Sequence, residues 1–287
     1  MSILVENLDH IYDIGSPYET YALKDVSLEV KTGEFIGLIG HTGSGKSTLI
    51  QHLNGLLKPT KGRIVVNGLD LTTKGVKLNT IRKKVGLVFQ YPEYQLFEET
   101  VERDVAFGPQ NLGLAEDVVA SRVKEAIELV GLNFEEVREK SPFELSGGQK
   151  RRVAIAGVLS MNPEVLILDE PTAGLDPRGR DEILGQIKKL HKEREITVIL
   201  VSHSMEDIAK MADRLIVMHK GEVALEGPPQ VVFTHDDELE AMGLGVPQIT
   251  KLTRSMREKG YDIPMGIITI EEAKKAVLSL VKGDKNA

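Results

Sequence analysis

Between residues 40 and 48 the chain reads GHTGSGKST, placing Gly40, Gly43, Gly45, Lys46 and Ser47 on the spacing G-x-x-x-x-G-K-[ST]. Glycines at these positions let successive backbone N–H groups turn inward around phosphate oxygens, and a helix starting there adds a favourable dipole. Lys46 can then reach the terminal phosphates of a nucleotide and the Ser47 hydroxyl can ligate magnesium, while His41, Thr42, Ser44 and Thr48 complete the loop and the first helical turn. The bland alternative is a chance glycine turn. The flanks argue against it, because EFIGLIG reads as a buried strand before the loop and residues 47–57 meet no breaker until Gly55. A second concentration of chemistry lies at VLILDE, residues 165–170, an apolar strand that ends in two adjacent carboxylates. Such a strand end is often only an acidic turn. At the carboxyl edge of a parallel sheet beside a phosphate loop, however, Asp169 would hold magnesium through water and Glu170 would orient and polarise an attacking water.

Between these two motifs stands LSGGQ, Leu145 to Gln149, followed by KRRVAIAGVL, a helix with an apolar face through Val153, Ala156 and Leu159. Ser146, Gly147, Gly148 and Gln149 form a second helix start able to face phosphate, on a different lobe from the first, so its nucleotide is expected to be held by another copy. The motif resembles the signature sequence of the ABC (ATP-binding cassette) ATPases, and the resemblance spans roughly residues 3–227. It implies a dimer with ATP and Mg2+ at the subunit boundary. By the same resemblance, Gln90 corresponds to the Q-loop glutamine that joins the magnesium and γ-phosphate region to the membrane partner's contact, and His203 to the switch histidine beside the γ-phosphate and Glu170. Asp176 in AGLDP corresponds to an aspartate that crosses the dimer interface, although it also reads as a helix cap before Pro177. Tyr12 is similar to the aromatic that stacks on adenine, with Tyr18 and Tyr21 as close competitors in a lengthened loop. The implied catalytic set is Glu170, His203 and Gln90, and the implied metal set is Ser47, Gln90 and Asp169.

The segment YPEYQLFEETVERDVAFGPQNLG after Gln90, together with LSGGQKRRVAIAGVL and LDEPTAGLDPRGR, resembles the ATPase subunits of energy-coupling-factor importers, closer to their A′ type. That resemblance implies three partners: a second, related ATPase subunit, identical or different; a transmembrane coupling subunit; and a membrane subunit that binds a vitamin or transition-metal ion. Other importer classes are the nearest alternative. Chromosome-organising, repair and translation ABC proteins carry coiled-coil insertions or paired cassettes with a basic linker, and this chain has neither.

These residues need a scaffold, and the patterning supplies an α/β one. Ile3–Leu8 and Ala22–Val30 alternate apolar and polar residues, 63–67 and 85–90 are further strands, and 165–169 and 197–202 flank a helix whose Ile183, Leu184, Ile187 and Leu190 share a face. The unit is βαβ with a parallel sheet. Residues 91–162 switch to helical periodicity, for example Val119, Val123, Ile127 and Val130. Residues 212–227 read as two strands joined at Lys220 and Gly221. With the family resemblance, the expected fold is a P-loop NTPase of the ABC type: a RecA-like mixed-sheet core, an antiparallel β subdomain, an inserted helical subdomain at about 91–162, and a helical extension. The domains are expected at 1–227 and 228–287. The extension carries helices near 249–259 and from Thr269, where Thr269 and Glu272 suit a capping box, and ends in GDKNA, which looks frayed. Its apolar spacing at Ile249, Leu252 and Met256 suits a dimer contact or packing on its own body.

Composition narrows the setting. Thirty-six basic against forty-three acidic residues give a net charge of −7, an unfavourable balance for a nucleic-acid partner, and the absence of cysteine fits a reducing compartment. No apolar run approaches the ~20 residues that span a bilayer, and the N-terminus lacks a secretory pattern. The expected location is the cytoplasmic face of a membrane, held there by partners.

Overall fold

The structure, a computed structural model, describes residues 2–73 and 75–283. Of the expected frayed end, residues 284–287 lie outside the described residues. The strands in the first part of the chain are β1 (Ile3–Tyr12), β2 (Thr20–Val30), β3 (Phe35–Gly40), β4 (Lys61–Val66), β5 (Leu69–Asp70) and β6 (Val85–Val88). They are followed by β7 (Val165–Asp169), β8 (Thr197–Val201), β9 (Arg214–His219) and β10 (Glu222–Gly227). A four-stranded antiparallel sheet has the order β2-β1-β4-β5, and a six-stranded sheet has the order β10-β9-β3-β8-β7-β6. Within the larger sheet all neighbours are parallel except the β9–β10 hairpin.

The parallel strands are apolar at nearly every position because both faces of their sheet are covered. Alternation still sorts the side chains. Ile167, Ile199 and Ile36 point into one core with Val5, Leu8 and Val26 of the antiparallel sheet, whereas Leu166, Leu168, Val198 and Leu200 point into the other, with Ile183 and Ile187 of the helix Pro177–Arg194. That second core continues into the helical region, where Val119, Val123 and Ile127 of the helix Glu116–Leu129 meet Val153 and Ala156 of the helix Gly147–Leu159. The hairpin turns at Lys220 (φ 48°) and Gly221 (φ 87°), two consecutive left-handed residues whose twist matches the flanking strands.

Several boundaries move relative to the sequence pattern. The helix after the glycine loop runs only from Lys46 to Leu53, because the Asn54 side chain donates to the Val85 carbonyl at 2.5 Å and Gly55 adopts φ 72°. The strand expected at 85–90 stops at Val88, and Tyr91 turns left-handed at φ 54°. Past Pro228 the chain remains tied to the body: Phe233, Leu239, Leu244 and Val246 join the large core. Ile263, Ile267 and Ala273 form a small core of their own. Ile249 and Met256 of the helix Gln248–Glu258 pack against that small core, while Leu252 is 54% exposed. The final helix, Ile270–Gly283, starts with a capping box in which Glu272 Oε2 accepts from the Thr269 N–H at 3.0 Å and the Glu272 N–H donates to Thr269 Oγ1 at 3.3 Å.

Candidate nucleotide site

The carboxyl ends of β3, β6, β7 and β8 lie side by side, and each delivers one functional segment to the same edge of the sheet. β3 ends at Gly40 and enters the glycine loop. Gly40 (φ 158°) has no room for a side chain, since a Cβ would sit 2.5 Å from the Met218 carbonyl oxygen, and Gly45 (φ 103°) would bring one within 2.6 Å of the Ala22 carbonyl oxygen. The β9–β10 turn supports this loop from behind, with the Gly221 N–H donating to the Ser44 carbonyl at 3.0 Å. Lys46, buried at the start of its helix, donates to the Gly40 carbonyl at 2.6 Å and the His41 carbonyl at 3.1 Å, so one of its three N–H donors remains for a ligand.

These segments enclose a cleft of about 540 Å³ whose walls include Thr42, Gly43, Gly45, Lys46, Ser47 and Thr48 from the loop and helix. Gln90, Asp169, Glu170 and His203 stand on the same walls, joined from the antiparallel sheet by Tyr12, Thr20, Tyr21 and Ala22. Burial, and then the neighbouring Glu170 charge, push the Asp169 carboxyl up to about 6 against the pull of Lys46 and His203. Burial also lowers the Lys46 ammonium, an effect that Glu170 and Asp169 oppose. Glu170 takes a left-handed backbone (φ 50°), fixed by its N–H to the Val201 carbonyl at 3.0 Å and its carbonyl to the Ala173 N–H at 3.1 Å. The turn aims its carboxylate at His203, with Oε1 2.7 Å from Nε2.

Not every residue singled out by sequence reaches the cleft. Gly40, His41 and Ser44 belong to the loop but lie outside the lining. Ser146–Gln149 and Asp176 are also absent from it. Ser146 instead caps the helix Gly147–Leu159, its Oγ accepting from the Gln149 N–H at 3.3 Å while Gln149 Oε1 accepts from the Ser146 N–H at 3.1 Å. Asp176 caps the helix Pro177–Arg194 through the Gly179 N–H at 2.7 Å. A Cβ at Gly147 or Gly148 would meet no atom of this chain within 4 Å, so packing within the chain does not require these glycines. Of the three tyrosines considered for base stacking, Tyr12 and Tyr21 are on the cleft wall and Tyr18 is not.

Sequence reading missed what lies behind Tyr12. Its ring stands edge-on to His10 with centroids 4.4 Å apart, and His10 stands edge-on to His52 at 4.6 Å. The Tyr12 hydroxyl lies 3.3 Å from Thr48 Oγ1. His52 is fully buried, and burial, followed by repulsion from His10, lowers its pKa to about 4. The folded protein therefore resists a proton that the unfolded chain accepts near pH 6.5, so stability present above that pH is lost as the pH falls toward 4. His52→Phe is expected to remove this slope, worth about 2 kcal/mol at pH 5. Denaturant unfolding of both proteins at pH 7 and 5 checks this, and parallel pH dependences would refute it.

A second recess, of about 520 Å³, is lined in part by residues 95–97, a few residues past Gln90 in sequence. It is lined by Arg82, Gln95, Phe97, Phe107, Gly108 and Met161 among others, and Phe97 and Phe107 stand edge-to-face at 4.9 Å although 56% and 45% exposed. Paired exposed phenylalanines beside a groove mark a surface suited to a partner.

Comparison with known proteins gives the family and the fold. The ABC transporter family profile matches residues 23–173. An energy-coupling factor transporter ATP-binding protein, EcfA2, of Clostridium tetani is 65% identical over 98% of this chain and 97% of its own length. Among solved structures, cbiO1 of Clostridium perfringens, described as part of the ABC transporter complex cbiONQ, is 40% identical with a TM-score of 0.73, covering 89% of this chain and 98% of the other. The ATP-binding cassette MJ0796, described as a dimer in a post-hydrolysis state bound to ADP and Pi, is 32% identical with a TM-score of 0.70 over 79% of this chain and 98% of its own. The chain belongs to the ABC transporter family, among the energy-coupling factor transporter ATP-binding proteins.

Proposed function

We propose that the chain binds ATP with Mg2+ in the cleft under Tyr12 and hydrolyses it as one of two ATPase subunits that drive an energy-coupling-factor importer. The observation that carries this reading is the convergence of Lys46, Gln90, Asp169, Glu170 and His203 on one cleft. The phosphate loop holds the β- and γ-phosphates with backbone N–H groups and the remaining Lys46 donor. Tyr12, braced by His10, stacks on the base.

Among the described residues no cluster of three or more His, Cys, Asp or Glu side chains forms a metal cage. The Ser47 hydroxyl, Gln90 amide oxygen and Asp169 carboxylate are nevertheless a hard-oxygen set suited to magnesium, which leaves positions open for phosphate and water. The raised Asp169 pKa fits this, because a buried carboxylate beside Glu170 is short of positive charge. An ion held there would supply positive charge against the charge that develops on the phosphates. Glu170 accepts a hydrogen bond from the attacking water and draws off its proton, and His203, 2.7 Å away, keeps the carboxylate pointed at the γ-phosphate.

The second subunit follows from the separation of the two helix starts. Ser146–Gln149 stand off the chain's own cleft with open space above Gly147 and Gly148, which suits the nucleotide of another ATPase subunit, identical or related. Asp176, likewise outside the chain's own cleft, is assigned to the same subunit boundary. We assign 1–227 to the ATPase domain, with about 91–162 as its helical insertion, and 228–287 to an extension that contributes to the subunit contact. The Phe97–Phe107 groove receives a transmembrane coupling subunit, and a separate membrane subunit supplies the vitamin or transition-metal ion. Among the described residues no helix is long and apolar enough to cross a membrane, so these partners hold the chain at the cytoplasmic face. A nucleic-acid partner is disfavoured by the net charge of −7.

Co-expression with the neighbouring transporter genes and purification from solubilised membranes tests the whole reading. A second ATPase subunit and two membrane proteins are expected to copurify with vanadate-sensitive hydrolysis; nucleic acid or ribosomes in their place would overturn it. Phe107→Ala is expected to weaken recovery of the membrane subunits by about 10–100-fold, the cost of one lost aromatic anchor. ATP affinity should be unchanged. Undiminished recovery would remove the groove from the interface.

A further inference from the structure

The middle of the three basic residues at 150–152 is not a solvated charge. Arg151 is 2% exposed, and four hydrogen bonds place its guanidinium between two segments far apart in sequence. Its Nε and one terminal nitrogen grip both oxygens of Glu93, at 3.0 and 2.7 Å. The other terminal nitrogen donates to the carbonyls of Pro171 at 3.1 Å and Ala173 at 2.6 Å. The guanidinium carbon also lies 5.9 Å from the centre of the Tyr91 ring. On one side the contacts reach the turn that sets Glu170, since the Ala173 N–H bonds to the Glu170 carbonyl. On the other, Glu93 sits in the short helix Pro92–Gln95, separated from Gln90 by Tyr91 alone and directly before Leu96 and Phe97 of the groove. Burial is the largest influence and disfavours ionised Glu93, but the hydrogen bonds from Arg151, a backbone hydrogen bond and the Arg151 charge together outweigh it and hold its carboxyl below the ordinary value.

Such a pair has a shape that a generic stabilising contact does not need. A planar five-donor fork is used bidentately on a carboxylate and again on two carbonyls, which fixes the relative orientation of everything it touches. Buried ion pairs often add little net stability over apolar packing, so orientation is the property this arrangement delivers. Two left-handed backbones, at Tyr91 and Glu170, flank the clamp. Each is a place where a small rotation of the chain would swing a functional side chain.

We infer that Arg151, with Glu93, is a positioning residue that ties the turn carrying Glu170 to the wall of the Phe97–Phe107 groove, so that a membrane subunit seated in the groove sets the hydrolytic carboxylate. The inference rests on the proposed transport function and deepens it. Arg151 itself is not on the cleft wall and acts through the segments it holds.

The test compares ATP hydrolysis by the isolated ATPase subunits with hydrolysis by the complete complex in lipid bilayers. Glu93→Gln leaves Arg151 its two carbonyl partners and weakens only the groove side. Basal hydrolysis is expected to stay near that of the unsubstituted protein and the melting temperature to fall, because the buried guanidinium loses its counter-charge, while stimulation by the membrane subunits falls about ten-fold. Arg151→Lys, whose single ammonium cannot span both segments, is expected to lower basal and stimulated rates together, and adding Glu93→Gln to it should produce no further loss. Full stimulation in Glu93→Gln, or a proportional fall in its basal and stimulated rates, overturns the positioning role and leaves the transport reading standing. An unsubstituted complex with no stimulation at all overturns the groove reading, and the inference with it.

Discussion

Glu170→Gln is expected to hold ATP with near-normal affinity and to hydrolyse it about 10²–10⁴-fold more slowly, the range for removing a positioned general base. The amide has the size and left-handed backbone tolerance of the carboxylate it replaces, and the hydrogen bonds that fix φ 50° at this residue are made by its main chain. The fold and the cleft therefore survive. What disappears is an anionic oxygen able to take the proton of water, together with the charge that faces His203 across 2.7 Å. Relief of the repulsion between Glu170 and Asp169 also favours an ionised Asp169, since that repulsion helps to raise its pKa. Nucleotide retention should thus be maintained while turnover collapses. Single-turnover hydrolysis alongside nucleotide-binding calorimetry distinguishes the two effects, and wild-type-like turnover in the variant would remove Glu170 from the role of base.

Lys46→Ala is expected to fail at the earlier step, losing at least about 100-fold in ATP affinity. The ammonium is buried and combines roles that no neighbour can assume. It bridges the carbonyls of Gly40 and His41, and among the described residues it is the only ammonium or guanidinium on the cleft wall to set against Asp169 and Glu170. A charge-assisted hydrogen bond contributes about 1.5–3 kcal/mol, or about 10–150-fold in binding, before the uncompensated carboxylates repel the phosphates. Calorimetric titration with ATP and Mg2+ checks the loss, and undiminished affinity would refute the role.

How far these expectations were legible from sequence depends on the range of the interaction that sets each feature. The glycine loop announces itself because Gly40 and Gly45 occupy positions where a Cβ would collide with carbonyl oxygens. The strand 165–169 is legible because burial on both faces forces an unbroken apolar run. The hairpin at Lys220–Gly221 and the box at Thr269 and Glu272 are local chemistry, complete within four residues. Boundaries set by distant partners were not legible, as at Leu53, where the helix ends because Asn54 reaches the carbonyl of Val85.

The sequence by itself determined the candidate chemistry: a glycine loop that suits phosphate, oxygen donors that suit magnesium, a carboxylate placed to act on water and a second helix start able to face phosphate, each written in residue type and short spacing. Only the tertiary structure decided which of these meet. The order β9-β3-β8-β7-β6 brings Gln90, Glu170 and His203 to the loop that follows β3, because parallel neighbours are joined by crossovers whose destination no local pattern encodes. The same packing leaves Ser146 and Gly147 outside that cleft, buries Arg151 against Glu93 and sets His52 behind His10 and Tyr12, all decided by residues with no shared periodicity. Short-range sterics and hydrogen bonding fix the parts, and long-range burial fixes their assembly.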